Sequence, residues 1–319
     1  MTETGTLIRL GVSQCLLGDA VRYDGRDKRH PWICGPLAAA AELVPLCPET
    51  GIGLPVPRPP IVLRGDRARP EARVPAQGER DLSTALRAHA RSQRARLQAL
   101  DGFILKARSP SCGLDDVPLL GPHGGRRGTT SGLFAAELRT WSGRPLVSEA
   151  GLSTPAARRA FAEAVHLCHQ WRAMAAGRDP ARARAFLQRY RLLLMAHGRR
   201  RYRALLAAAE GLGEAGDGCP GALLALLRHP ATRRRRLACL RRLQRQDLPP
   251  LDPARARQVA QAIEGFAAGD RDHAATLARL RRLLPADALP PPARALLHPE
   301  PALARLLAAA GNPEPGAHD

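Results

Sequence analysis

The stretch Phe103-Ile-Leu-Lys-Ala-Arg-Ser-Pro-Ser-Cys112-Gly113 decides how this chain is read. The apolar run Phe103-Ile-Leu105 predicts a buried strand, and Ser109-Pro-Ser-Cys112-Gly113 breaks it into a loop. In an open α/β sheet, ligands bind beyond the carboxyl ends of the strands. This loop carries a thiol, two hydroxyls and a glycine to such an end, with Lys106 and Arg108 beside them. The plain alternative is a strand end with an incidental buried cysteine. It loses weight because two other apolar runs stop in the same way.

Working outward, residues 6–14 predict a first strand that runs into Cys15-Leu-Leu-Gly, and Leu43-Val-Pro-Leu46 is a brief run that stops at Cys47-Pro-Glu49. Gly51-Ile-Gly-Leu-Pro-Val-Pro-Arg-Pro-Pro60 is too rich in Gly and Pro for regular structure and predicts a loop over the sheet end. The remaining expectations are a short helix at 36–43, a short strand at 61–64, a helix at 81–99, the strand at 102–107, a Gly-rich loop at 121–128, a helix near 130–141 and a closing strand at 144–148. Strands alternating with helices argue an α/β domain over residues 1–150, with a parallel sheet of Rossmann or flavodoxin-like type. After Gly151 the character changes. Thr154-Pro155, Asp179-Pro180 and Asp252-Pro253 each read as an N-cap followed by Pro at the first helical position. Residues 151–310 predict an all-helical domain with no convincing strand, and 311–319 a disordered tail.

The chain has 319 residues, formal charge +20 and seven cysteines, and only Lys28 and Lys106 are lysines. Such a field attracts polyanions whatever the fold. Aromatics are 3% of residues and no groove-reading motif occurs, so charge alone does not make a nucleic-acid reader. No run approaches a membrane span and the start lacks a secretory pattern, so the expected location is the cytoplasm. Odd, scattered cysteines argue against a disulfide framework and for metal binding or catalysis. Cys15, Cys47 and Cys112 each follow a predicted strand, so a parallel sheet would bring their thiols to one edge. Soft thiolates suit zinc or iron–sulfur centres. The close Cys pairs usual for zinc are missing, and three isolated thiolates better suit a cubane cluster with one iron open.

At these residues the chain resembles the TudS-type 2-thiouracil desulfurase family. The resemblance rests on Val12-Ser-Gln-Cys15-Leu-Leu-Gly with Val21-Arg-Tyr-Asp-Gly25, on Cys47-Pro-Glu49 with Gly53-Leu-Pro-Val-Pro-Arg-Pro-Pro60, and on Leu105-Lys-Ala-Arg-Ser-Pro-Ser-Cys112-Gly113. It implies a 4Fe-4S cluster held by Cys15, Cys47 and Cys112. It also implies removal of sulfur from a thiolated pyrimidine base, nucleoside or nucleotide without net redox change, the sulfide leaving on the open iron. The family's catalytic Glu and Ser fall on Glu49 and Ser109. Arg22, Asp24 and Arg58 are further candidates for substrate contacts, or else they pin their loops.

The second half, through Phe186-Leu-Gln-Arg-Tyr190-Arg-Leu-Leu-Leu-Met195-Ala-His197 and Tyr202-Arg-Ala-Leu, resembles the YbgA-type domain found fused to such modules, with Gly198-Arg-Arg in place of the usual Ser-Pro. His166 and His169 share a helix face that Cys168 leaves, so they read as structural. Cys34, Cys219 and Cys239 read as buried or incidental. The run Arg233–Arg236 is either a solvated face or a contact for RNA phosphates. The competing reading of the whole chain is an RNA-binding module that recognises thiolated nucleic acid without turnover.

Overall fold

A computed structural model describes residues 7–121, 124–175, 179–210, 218–229 and 231–312. Four strands form the first sheet: β1 (Arg9–Ser13), β2 (Glu42–Leu46), β6 (Gly102–Leu105) and β9 (Leu146–Ser148), in the order β2-β1-β6-β9 and all parallel. β1 and β6 lie at its centre and are buried almost throughout: β6 is the continuous run Gly102-Phe-Ile-Leu105 expected of a strand covered on both faces, and β1 buries Leu10, Gly11, Val12 and Ser13 after the half-exposed Arg9. The chain leaves β1 for β2 on one side and returns to β6 on the other. That reversal makes the carboxyl end of β1 the topological switch point, where such sheets leave a crevice.

A second, five-stranded sheet is mixed, and this corrects the expectation of parallel pairing alone. It contains β3 (Val62–Asp66), β4 (Arg69–Val74), β5 (Arg80–Asp81), β7 (Val117–Leu120) and β8 (Arg126–Thr130), in the order β5-β4-β3-β7-β8. Only β3 and β7 pair in parallel; the other neighbours are antiparallel. β4 alternates exposed Arg69, Glu71 and half-exposed Arg73 with buried Pro70, Ala72 and Val74, so its period of two is hidden by small and proline residues. β8 occupies residues expected as Gly-rich loop, and residues 122–123 of that loop lie outside the described part. The short helix expected at 36–43 gives way to a π-helical turn at Ile33–Leu37.

The helices are α1 (Pro48–Gly51), α2 (Ser83–Ser92), α3 (Arg94–Gln98), α4 (Leu133–Trp141), α5 (Pro155–Ala175), α6 (Pro180–Arg189), α7 (Arg191–His197), α8 (Arg199–Glu210), α9 (Gly218–Leu227), α10 (Arg233–Arg242), α11 (Pro253–Ala268), α12 (His273–Leu283), α13 (Pro291–Leu297) and α14 (Pro301–Gly311). The Pro-initiated starts read from the sequence carry their caps: Asp179 accepts from the amides of Ala181 and Arg182, Asp252 from Arg255, and Thr154 from Ala157. No helix among the described residues is long and apolar enough to cross a membrane. The expected tail 311–319 lies outside the described residues from 313 onward.

The chain divides into two compact units, one reaching His166 and taking up the segment from Arg305, the other Leu167–Ala304. In the first, Leu10, Trp32 and Leu37 pack with Phe161, Val165 and Leu306. The Trp32 indole donates to the Ala309 carbonyl (2.8 Å), and the Arg158 guanidinium lies 4.7 Å from the Trp32 ring centroid. A boundary at 150–154 therefore cuts through packed apolar surface. Truncation after Ala150 is expected to give an aggregating fragment, because Trp32, Leu10 and the back of Gly102 lose their cover. A soluble, monomeric fragment on gel filtration would show that these contacts are dispensable.

Candidate active site

Three strand ends converge on one cavity. β1 ends at Ser13, and the 3-10 turn Gln14–Leu17 that follows carries Cys15. β2 ends at Leu46, after which Cys47 precedes α1 and Glu49 sits in its first turn. β6 ends at Leu105 and leads through Lys106 to the loop bearing Cys112. Because β1 lies between β2 and β6, the three ends are neighbours. The cavity measures about 380 Å³, and Cys15, Cys47, Cys112, Glu49, Arg22 and Lys106 are on its wall, as are Arg58 and Ser109.

Cys15 and Cys112 are buried and Cys47 is half-buried. Burial pushes the Cys15 thiol up to about 11, and Cys47 raises it further while Lys106 pulls it down. Burial likewise raises Cys112; a hydrogen bond from Ser13 opposes that rise, and the charges of Cys47, Glu49 and Cys15 add to it. Among the described residues, no group of three His, Cys, Asp or Glu side chains is gathered tightly enough to hold a single metal ion. Three soft sulfur donors carried on three separate strand ends are a set whose chemistry suits an iron–sulfur centre.

Glu49 is held from both sides. Its Oε2 accepts from Arg58 Nε (2.9 Å) and Nη2 (2.7 Å), and its Oε1 accepts from the Ser111 hydroxyl (2.9 Å). Arg58 spends its other donors on the carbonyls of Pro55 and Val21. It thus orients Glu49 and ties together the loops before and after α1. The two side chains are 4% and 12% exposed, so removing one partner strands a charge in a nearly dry place. Arg58→Met is expected to cost about 3–5 kcal/mol of stability, measured by denaturant unfolding; a cost below about 1 kcal/mol, the range of surface pairs, would contradict this.

Ser109 uses its hydroxyl oxygen to accept from the amides of Ser111 (3.3 Å) and Cys112 (3.1 Å), which shapes the loop that presents Cys112. Arg22 pairs with Asp24 (3.3 Å) and donates to the Asp27 carbonyl; Arg22 lines the cavity and Asp24 does not. Two residues that the sequence reading passed over matter here. Ser111 touches Glu49, although nothing distinguishes it from Ser109 in a Ser-Pro-Ser motif. Ser13 accepts from the Lys106 amide and bonds Cys112 across the β1–β6 seam, a contact that only strand register reveals. Beneath the loop, the Glu149 carboxylate at the end of β9 pairs with Lys106 Nζ and accepts from the Ala107 amide.

The amino end of α4 anchors the same loop. Gly132, Leu133 and Ala135 donate their amides to the carbonyls of Gly113, Pro110 and Ser111, so three otherwise unpaired helix-start donors are satisfied by the cysteine loop. A Cβ on Gly132 would stand 2.5 Å from the Ser111 carbonyl carbon and 2.8 Å from the Cys112 amide. Both are backbone atoms, so no rotamer relieves the clash. Gly132→Ala is expected to lower the melting temperature and to displace Cys112; an unchanged melting temperature would show that the loop can shift freely.

Comparison with curated proteins gives no match. Among solved structures, a protein described as the 4Fe-4S-dependent thiouracil desulfidase TudS is 29% identical, with 46% of this chain and 93% of that chain covered and a TM-score of 0.38. The family comparison is confined to the first half of the chain, where the three cysteines, Glu49 and the serine loop all lie. Residues 10–150 match the family model described as 2-thiouracil desulfurase.

Proposed function

We propose that this chain is a desulfurase that replaces the sulfur of thiouracil, or of a related thiolated pyrimidine, with the oxygen of water, using a 4Fe-4S cluster held by Cys15, Cys47 and Cys112. The single observation that carries the reading is the convergence of three separate strand-end thiols and one anchored carboxylate on a cavity of about 380 Å³, a size suited to a small ring. Bound there, the cluster would supply a soft Lewis acid at its fourth iron, the kind of centre that favours a thiocarbonyl sulfur over oxygen.

The protein's own groups handle the proton and the position. Glu49 Oε1 accepts one hydrogen bond from Ser111 and keeps a second lone pair, with which it would take the proton from the attacking water. Arg58 offsets the carboxylate's charge and fixes its plane, so the base need not reorganise during the step. Ser111 would either relay a proton or hold the carboxylate's orientation. Ser109, through the amides of Ser111 and Cys112, would keep the loop in register. Sulfur leaves as sulfide while water's oxygen bonds to the same carbon, so no electrons are gained or lost. In water enriched in oxygen-18, one heavy oxygen should enter each uracil formed from 2-thiouracil; uracil carrying ordinary oxygen would exclude water as the source.

A further inference from the structure

We propose that an arginine-lined cavity in the helical unit binds the phosphodiester backbone of a single-stranded nucleic acid. This cavity, about 780 Å³, lies between α7, α8 and α10, and its wall holds Arg199, Arg234, Arg235, Arg241, Arg242 and Arg245 with no aspartate or glutamate among the described residues. Six cations around one concavity repel one another unless an anion enters. Part of that charge is answered locally: Arg241 pairs with Glu264, and Arg235 donates to the His197 carbonyl. Arg199, Arg234 and Arg245 are exposed and make no ion pair among the described residues. The Nε of Arg242 is buried there without a hydrogen-bond partner, an unsatisfied donor on the cavity wall.

The local rules of helix design are also broken at this place. Arg233–Arg236 fill the first turn of α10, where the helix dipole already presents positive charge and acidic residues are favoured. A sequence that places four cations there works against its own helix, and such conflicts concentrate at functional sites. An anion at the cavity satisfies the arginines and the helix start together. The rest of the wall, Met195, Thr232, Leu237, Ala238, Cys239 and Gln246, includes no aromatic ring on which a base could stack. The site would therefore read phosphates without reading sequence. A concave wall of guanidinium groups suits a narrow charged strand, whereas a lipid surface needs a flat or convex face with an apolar side.

The test uses the full-length protein and fluorescein-labelled oligouridylate RNA and oligothymidylate DNA of about twelve nucleotides, followed by anisotropy across a salt series. The variant Arg199→Ala/Arg234→Ala/Arg245→Ala removes three cavity charges. The control Arg203→Ala/Arg228→Ala/Arg257→Ala removes three exposed arginines of the same unit that are not on the cavity wall. With net charge equal in the two variants, only position differs. The cavity variant is expected to bind on the order of tenfold more weakly and to lose about 2 from the slope of log affinity against log salt, at about 0.7 per phosphate contact. The control should keep both values close to those of the unaltered protein, and the stronger arm identifies RNA or DNA as the source of the backbone. Equal losses in the two variants would reduce the effect to net charge and overturn the proposal. So would unchanged oligonucleotide binding by the cavity variant together with lost binding to phosphatidylglycerol vesicles. The readout is independent of desulfuration, so it stands or falls separately from the function proposed for the other unit.

Discussion

Replacing any one of Cys15, Cys47 and Cys112 by alanine is expected to abolish iron binding by the anaerobically purified protein, and with it the broad visible absorption of an iron–sulfur centre. The three side chains share one wall and come from three different strand ends, so each holds a position that the other two cannot fill. Cys34, which donates to the Leu16 carbonyl, and the buried Cys168 and Cys239 lie off that wall, and their alanine variants should keep full iron content. Because burial holds Cys15 and Cys112 in the protonated form, loading must expel protons, and the unloaded variants should remain folded. Full iron content in one of the first three variants would remove that residue from the ligand set.

Glu49→Gln is expected to lower turnover by about 100- to 10,000-fold, the range typical of a lost general base, while iron content stays at its original level. The amide keeps an oxygen to accept from Arg58 and offers its nitrogen to Ser111, whose hydroxyl can accept instead of donate. Shape and hydrogen bonding are thereby preserved, and only the proton acceptor is removed. Ser111→Ala should lower turnover less, since a water can take the hydroxyl's place beside Oε1. Loss of iron from Glu49→Gln would instead make Glu49 a support of the fold or the metal.

Much of this was legible in the sequence, for identifiable reasons. β6 is a central strand whose run Phe103-Ile-Leu105 is uninterrupted, β1 carries Leu10 and Val12 between Arg9 and Ser13, and the cysteines that follow mark where each strand stops. The Pro-initiated helices of the second half declare their own starts through Thr154, Asp179 and Asp252. The second sheet stayed hidden because β4 and β7 contain Pro70 and Pro118, and because β5 is two residues long. Their pairing is set by tertiary contact: Leu63 lies opposite both Ala72 and Leu119, which are far apart in sequence. At the site, cysteine positions follow from strand ends, but the partners of Glu49 do not. Arg58 was read as a substrate contact or a loop pin, and its guanidinium lies against the Glu49 carboxylate. Ser111 and Ser13 are small polar residues whose importance comes from what the sheet places across from them.

The account rests most directly on turnover by the iron-loaded protein. Anaerobically purified or reconstituted chain, checked for equal amounts of iron and acid-labile sulfide, should convert 2-thiouracil to uracil over many turnovers, with one sulfide released for each uracil. No external electron donor should be needed. A fully loaded protein that leaves 2-thiouracil intact, or that forms uracil only when a reductant is supplied, would contradict it.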